Sequence, residues 1–344
     1  MKILITGFTN AACTKDFHKR SQIGLCTAHF GLVQCLEDMG HRVDQRPVMA
    51  GEDVSGYDKV IVFLMHISPF NKHIYGALWT IAQRPDALLA IEDWQSPKNI
   101  NTWKNDVNKV VDSITNEYYI NNVVAEKELK PEWKTAFVDA MSSISEGERP
   151  IMGPAFLGGD FKMLFPSWNQ EKIFSWYTHP YTLHLTPTLT LIPEPKQKVF
   201  NFAGLIQSET EKWFERTTKG ATWQIKQYGS KAKKQERLSE QDMVTTYGDQ
   251  WGILMAGYWH AGSGWWRARP QQVADAGSIL ICEDKEGIIF GESYTGLTCE
   301  KIEGMSDEQL VKLAATQKEE FYTTQPLDKT ITKRQIEEYF ACEF

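Results

Sequence analysis

A glycine-rich turn beside two arginines is the stretch of this sequence best suited to chemistry. Gly262 and Gly264 leave backbone N–H groups open to a ligand, because neither residue carries a Cβ atom. Arg267 and Arg269 follow, and Pro270 is typical of a first helical turn. Unpaired N–H groups, the helix dipole and two guanidinium groups together favour an anion such as a diphosphate. The sequence therefore predicts an anion pocket at the start of a short helix. The alternative is a surface turn whose arginines pack on the neighbouring tryptophans.

Strand and helix patterns alternate along most of the chain. Apolar runs bounded by turn residues predict strands at residues 2–5, 42–48, 59–65, 87–91, 199–203, 222–228 and 252–256. Apolar residues recurring every three or four positions predict helices at 21–39, 71–82, 306–322 and 330–340. Residues 151–187 show little periodicity and are expected to form a long ordered connection. Strands that alternate with helices predict parallel, doubly wound α/β sheets, whose ligands bind beyond the carboxyl ends of the strands.

The composition bounds the class of protein. At 344 residues the chain is long enough for about two domains. The net charge of −7 argues against a wholly basic surface, although it allows a local basic groove. The six cysteines are scattered without a Cys-x-x-Cys pair, which indicates reduced thiols and no metal site. The apolar start ends within ten residues, too early for a secretory signal or a membrane span. We therefore predict a cytoplasmic protein without a membrane partner.

Four stretches resemble the bacteriophage DNA glucosyltransferases, which are GT-B glycosyltransferases. Residues 20–22 open the first long helix and are similar to a Ser-Ser-Glu of that family. Residues 88–97 match the family's strand that ends in a catalytic Asp, here Asp93, and Trp103 follows. Residues 202–208 are similar to the glycine turn under the diphosphate, and residues 266–281 match the segment that binds the donor ribose and diphosphate. The resemblance extends over nearly the whole chain.

The resemblance implies a GT-B fold, with two Rossmann-like doubly wound α/β domains facing a cleft. Residues 1–175 are then the acceptor-binding domain and residues 176–325 the domain for the nucleotide sugar. Residues 326–344 form a helix that returns to the first domain. The implied activity is sugar transfer to the hydroxymethyl group of 5-hydroxymethylcytosine or 5-hydroxymethyluracil in double-stranded DNA. The implied enzyme is a monomer, located in the host cytoplasm if a phage encodes it.

The roles known in the family fall on particular residues of this chain. Asp93 takes the place of the general base, with Glu92 as the alternative, because a base must accept the proton as the C–O bond forms. The implied donor is UDP-glucose or a related UDP-sugar, and Mg²⁺ or Mn²⁺ is an optional companion of its diphosphate. The implied donor-binding residues are Gln22, Gly204, Gln207, Ser208, Gly262, Ser263, Arg267, Arg269 and Gln272.

Three of these residues depart from the family pattern. Gln22 replaces a Glu near the sugar, Gln207 replaces an arginine, and Gln272 replaces a ribose-binding Glu. A glutamine hydrogen-bonds a diol but contributes no charge. We therefore expect Arg267 and Arg269 to balance the charge of the diphosphate, and the identity of the sugar stays open.

An acceptor base inside duplex DNA must be flipped out to reach a cleft, which calls for basic and aromatic side chains around it. The implied DNA contacts are Phe70, Trp94, Lys98, Trp103, Lys104, Lys231, Lys233 and Lys234, with Lys109 and Trp168 as further candidates. Lysine runs also occur as solvated faces, and tryptophans as core residues, so both alternatives stay open.

Two other functions fit the same residues. A GT-B transferase for a saccharide or another small acceptor is in keeping with the acidic net charge. A non-catalytic nucleotide-binding or DNA-binding module would account for the three glutamines. Transfer from a labelled sugar nucleotide to modified DNA separates the three functions. The sequence does not decide the sugar, its anomeric configuration or the pyrimidine.

Overall fold

The described residues of the chain form two compact units. The computed structural model describes residues 1–7, 29–63, 73–90, 135–136, 139–140, 142–144, 146–155, 160–178, 183, 196–203, 208–228, 240–256, 268–325 and 327–342. Within these ranges, residues up to 178 together with 328–342 form the first unit, and residues 183–327 form the second. None of the helices found in these ranges is long and apolar enough to cross a lipid bilayer.

The first unit is built on a six-stranded parallel sheet. Its elements are β1 (Lys2–Thr6), α1 (His29–Asp38), β2 (Arg42–Gln45), β3 (Lys59–Phe63), α2 (His73–Gln83), β4 (Leu88–Ala90), β5 (Ile151–Pro154) and β6 (Ile173–Trp176), and the chain returns to this unit as α9 (Lys329–Ala341). The strand order is β2-β1-β3-β4-β5-β6. The predicted strands 2–5 and 59–65 are confirmed, and both are buried on their two faces as continuous apolar runs in parallel sheets require.

A glycine ends helix α1. Gly40 adopts a left-handed conformation with φ of +84°. Its N–H donates to Glu37 O, and the N–H of His41 donates to Leu36 O. This pair of bonds is a Schellman motif, which satisfies carbonyl groups at the helix end. The turn delivers the chain directly into β2.

The prediction of a long connection at residues 151–187 was wrong. Two strands of the first sheet, β5 and β6, lie in this stretch, with short 3₁₀ turns at Phe161–Leu164 and Gln170–Lys172 between them. Gly153 and Pro154 interrupt the apolar pattern of β5. A Cβ on Gly153 would lie 2.2 Å from the ring of Phe161, so the glycine is needed for that ring to pack on the sheet. Because close packing requires a glycine at position 153, the sequence of β5 lacks the apolar periodicity by which a strand is predicted.

The second unit contains a four-stranded parallel sheet with the order β10-β9-β7-β8. Its elements are β7 (Gln197–Ala203), α3 (Ser208–Thr218), β8 (Gln224–Tyr228), α4 (Glu240–Asp249), β9 (Gln250–Met255), α5 (Ala268–Asp275), β10 (Ile279–Cys282), α6 (Asp284–Phe290), α7 (Cys299–Glu303) and α8 (Asp307–Thr324). The predicted helix after Ser306 is confirmed, because Ser306 and Gln309 form a capping box at the start of α8.

In each sheet, side chains of a later helix bond to the backbone of an edge strand: α8 bonds to β10 and α9 bonds to β6. In the second unit, Gln317 of α8 uses its amide to bond both the N–H (2.9 Å) and the C=O (3.1 Å) of Leu280 on β10. In the first unit, the N–H of Ser175 donates to Gln335 Oε1 (3.1 Å) and the N–H of Tyr177 donates to Thr332 Oγ1 (2.8 Å). These side chains pair backbone groups that would otherwise invite another strand.

We expect the double variant Thr332→Val/Gln335→Ala to lower the free energy of unfolding by about 2 kcal/mol, because two backbone donors of the β6 edge lose their acceptors. Urea denaturation followed by tryptophan fluorescence measures the change. Arg334→Ala is the matched control, since Arg334 lies on the same helix in an exposed ion pair with Glu338 and should change stability by less than about 0.5 kcal/mol. Equal losses in the two variants would contradict this account of the edge.

Candidate functional site

The carboxyl ends of β7 and β9 are neighbours in the second sheet. The two strands pair in parallel, with Asn201 opposite Ile253 and Phe202 opposite Leu254. From β7 the chain continues to β8 on one side, and from β9 it continues to β10 on the other. This reversal of direction is the topological switch point of a doubly wound sheet, where ligands bind beyond the strand ends.

The two predicted donor segments begin at this switch point. One follows β7 after Ala203 and ends where α3 begins at Ser208; the other follows β9 after Met255 and ends in α5. Parallel pairing therefore brings the strand ends from which both segments start to the same side of the sheet. Of the predicted donor residues, Ser208, Arg269 and Gln272 lie in described helices. Gln22, Gly204, Gln207, Gly262, Ser263 and Arg267 lie outside the described residues.

Helix α5 is short and almost completely buried. Residues 270–276 are all buried, and Val273 and Ala274 pack in the hydrophobic core of the second unit. The helix ends as predicted at Gly277, which has φ of +61°; its N–H donates to Ala274 O and that of Ser278 donates to Val273 O. Arg269 precedes Val273 by four residues, so the two share a helix face one turn apart. Arg269 therefore lies nearer to the carboxyl ends of the strands than Val273 and Ala274, which pack in the core.

Two polar side chains on α5 have no partner within the described part of the chain. Arg269 is half-buried and makes no hydrogen bond or ion pair there. Gln272 is only 3% exposed, and its amide likewise bonds to no described residue. A guanidinium group favours an anion nearby, and an amide can donate and accept hydrogen bonds. The pair can thus supply one positive charge and one neutral hydrogen-bonding group to a ligand.

The opposite end of α5 is held by a lysine that the sequence patterns did not single out. Lys196 Nζ donates to Gly248 O (2.7 Å), Ala276 O (3.0 Å) and Ser278 Oγ (2.7 Å). It thereby ties the last turn of α4 to the exit from α5. Burial lowers the pKa of Lys196 to about 8, against the opposing attraction of Asp249. A lysine at the start of a strand carries no sequence signal for such a role.

The first sheet has its own switch point, between β1 and β3. Gly7 follows β1 with φ of +101°, and a Cβ at this position would lie 2.1 Å from the carbonyl oxygen of Phe63. Only a glycine therefore allows the ends of β1 and β3 to approach so closely. The strand β4 is next to β3, with Ala90 opposite Phe63. In the sequence, Asp93 comes three residues after the end of β4.

Most residues predicted to act on an acceptor lie outside the described residues. These are Glu92, Asp93, Phe70, Trp94, Lys98, Trp103, Lys104, Lys109, Lys231, Lys233 and Lys234. Trp168 is described, and the core alternative holds for it. Its ring packs 4.3 Å from that of Phe165 and covers Gly147, where a Cβ would lie 2.2 Å from the indole. Only 8% of Trp168 is exposed, so it has no free face on which a base could stack.

The described residues contain no group of three or more His, Cys, Asp or Glu side chains that could hold a metal ion.

Solved structures with a similar fold are glycosyltransferases. T4 phage beta-glucosyltransferase in complex with UDP and Mn²⁺ has a TM-score of 0.51 and 13% identity, over 99% of this chain and 98% of that chain. Another structure of T4 phage beta-glucosyltransferase has a TM-score of 0.51 and 11% identity, over 99% and 98%. A third, of the DNA modifying enzyme beta-glucosyltransferase with and without uridine diphosphoglucose, has 12% identity over 98% and 96%. Its TM-score of 0.47 adds no support.

These similarities establish the fold. The chain has the two-domain α/β fold of the GT-B glycosyltransferases, with a parallel sheet in each domain. No protein family matches the sequence. No curated protein matches it either. At 11–13% identity the shared fold does not carry the activity with it, so the activity has to be argued from the residues.

The buried Lys196 predicts a pH dependence of stability. Between pH 8 and 10.5 the unfolded chain holds a proton that the folded protein has released, so the free energy of unfolding should rise with pH in this window. The slope due to this group should approach about 1.4 kcal/mol per pH unit. We expect Lys196→Met to lack this rise, as measured by chemical denaturation from pH 7.5 to 10. Parallel pH profiles for the two proteins would show that Lys196 does not titrate in this way.

Proposed function

We propose that the chain is a glycosyltransferase that moves a sugar from a UDP-sugar to the hydroxymethyl group of a modified pyrimidine in DNA. The observation that carries the donor half of this proposal is the pair of polar side chains Arg269 and Gln272 on α5, the helix that follows β9 at the switch point of the second sheet; neither side chain bonds to another described residue. A nucleoside diphosphate would provide a partner for each of them: its anionic diphosphate for Arg269, and the diol of its ribose for Gln272.

The proposed donor pocket combines charge with close backbone approach. Arg267 and Arg269 balance the diphosphate, whose oxygens accept hydrogen bonds from guanidinium and from the first N–H groups of α5. Gln272 bonds the ribose hydroxyls. Gly204 and Gly262 let the backbone approach the phosphates. Gln207, Ser208 and Ser263 add neutral donors, and Gln22 faces the sugar.

The proposed chemistry needs one base and one leaving-group site. Asp93 accepts the proton of the hydroxymethyl group while its oxygen bonds to the anomeric carbon of the sugar. The bond from that carbon to the diphosphate breaks, and UDP departs with the bonding electrons. The arginines of the second unit stabilise the charge that develops on the diphosphate. Mg²⁺ or Mn²⁺ on the diphosphate would add to that stabilisation, as a companion of the nucleotide rather than of a protein site.

The acceptor half of the proposal rests on the sequence resemblance at residues 88–97. In this proposal, basic side chains bind DNA phosphates and aromatic side chains support a flipped base. The basic residues are Lys98, Lys104, Lys231, Lys233 and Lys234, and the aromatic residues are Phe70, Trp94 and Trp103. The net charge of −7 favours a second candidate, a transferase for a saccharide or another small acceptor. That candidate shares the donor pocket and differs only in what Asp93 deprotonates.

We expect Arg269→Ala to weaken the binding of UDP by about ten- to hundredfold, because a charge-assisted hydrogen bond to phosphate is lost. Isothermal titration calorimetry measures the affinity. Arg216→Ala is the matched control: Arg216 is exposed in the last turn of α3, so the charge change is the same at a distant position. Unchanged UDP affinity in Arg269→Ala would remove α5 from the donor site.

We expect Asp93→Asn to reduce sugar transfer at least about a hundredfold while UDP affinity stays the same, because an amide cannot accept the proton. Mass spectrometry of hydroxymethylated DNA after incubation with a panel of nucleotide sugars measures the transfer. Glu92→Gln is the matched control and should retain activity. Transfer to saccharides but not to DNA would favour the second candidate, and no transfer by the wild-type protein to any acceptor would contradict both.

A further inference from the structure

Tyr322 on α8 is hydrogen-bonded to two side chains of helix α5. The hydroxyl of Tyr322 donates to Asp275 Oδ1 at 2.5 Å and accepts a hydrogen bond from the side chain of Gln271. Both partners are buried, with Gln271 1% exposed and Asp275 4% exposed. The phenol thus bridges two buried polar side chains of α5.

The spacing of the two partners determines what this contact fixes. Gln271 and Asp275 are four residues apart, so they share one face of α5 and the hydroxyl of Tyr322 lies between them. Val273 and Ala274 occupy a different face, which packs in the core. Contacts on two faces hold the helix against rotation about its axis, whereas apolar packing alone is not directional.

Rotation of α5 would matter for its first turn. A guanidinium group at the end of an extended arginine lies about 9 Å from the helix axis, given a Cα radius of about 2.3 Å. A rotation of about 20° would therefore move the guanidinium of Arg269 by about 3 Å, the length of a hydrogen bond. Arg269 has no partner in the described residues to hold it, so its placement depends on the helix.

The helix α8 that carries Tyr322 is firmly held, whereas the tyrosine itself is 36% exposed. Its neighbour Phe321 is buried in the core, and Thr324 Oγ1 donates to Phe290 O at 2.9 Å. Gln317, one turn earlier, is bonded to β10. Burial raises the pKa of Tyr322 far above its usual value, with the nearby Asp275 acting in the same direction. The hydroxyl therefore stays protonated and able to donate at any pH at which an enzyme works.

We propose that Tyr322 is a positioning residue for donor binding: its hydrogen bonds to Asp275 and Gln271 set the rotation of α5 that presents Arg269 and Gln272 to the nucleotide diphosphate. This role rests on the proposed function. It is specific to the polar residues that this chain carries on the far side of α5, and it makes donor affinity depend on a residue that does not touch the donor.

The first test is the affinity for UDP, measured by titration calorimetry on the full-length protein. Tyr322→Phe removes only the hydroxyl, and we expect it to weaken UDP binding about five- to tenfold. Tyr294→Phe is the matched control. Tyr294 is fully buried and donates to Gln317 O on the same helix α8 at 2.6 Å, without a contact to α5 among its hydrogen bonds. It should cost similar stability and leave UDP affinity unchanged. Equal affinities of Tyr322→Phe and wild type would overturn the proposal.

A double-mutant cycle asks whether the effect passes through Arg269. In an Arg269→Ala background, Tyr322→Phe should change UDP affinity by less than about twofold, since the group to be positioned is gone. A merely structural role would give the same loss in both backgrounds, and that result would overturn the proposal.

A third measurement separates this inference from the proposed function. Hydrogen exchange of the α5 amides, measured without nucleotide, should be faster in Tyr322→Phe than in wild type and unchanged in Tyr294→Phe. If wild-type protein does not bind UDP, the proposed function fails while the exchange data still decide whether Tyr322 holds α5. If UDP binds but exchange at α5 is the same in both proteins, the positioning role fails alone.

Discussion

Parallel pairing is the constraint on which the rest of this molecule depends. In a sheet with only parallel strands, every strand delivers the chain to the same edge, and every returning helix begins there. The edge of the second sheet therefore receives the segments after β7 and β9 together, although more than fifty residues separate them in sequence. The same rule brings the ends of β1, β3 and β4 to one edge of the first sheet. The ends of β7 and β9 are neighbours only because of this geometry.

Helix α5 shows how contacts at its carboxyl-terminal end and along its sides fix a short element. Lys196 holds its exit, the core holds Val273 and Ala274, and Tyr322 holds its far side. Near its start, Arg269 and Gln272 are not bonded to any described side chain. An isolated helix of eight residues would not be stable in water, so its geometry comes from these contacts. Buried polar interactions thus hold a helix whose amino-terminal end is proposed to contact the ligand.

Periodicity and turn chemistry were enough to predict much of the fold. Continuous apolar runs predicted β1 and β3, and Gly40, Gly277 and Ser306 marked helix ends correctly, because these signals are local. The missed strand β5 contains Gly153, which packing against the ring of Phe161 requires, so at this strand a tertiary contact determines a residue that interrupts the local pattern. Lys196 and Tyr322 could not be predicted, since their partners lie 47 or more residues away in the sequence. The pattern placed Arg269 and Gln272 on a helix; it could not show that neither bonds to another described residue.

The C-terminal helix has a consequence for how the chain is made. Among the described residues, Thr332 and Gln335 accept hydrogen bonds from the N–H groups of Tyr177 and Ser175 at the edge of β6. The hydroxyl of Tyr339 donates to Asp86 O and Val60 O of the first unit. These residues follow those of the second unit in the sequence, so the ribosome synthesises them after that unit. The first unit therefore acquires the contacts of α9 with β6 only after the second unit has been synthesised. Order of translation and order of completion are therefore reversed in this protein.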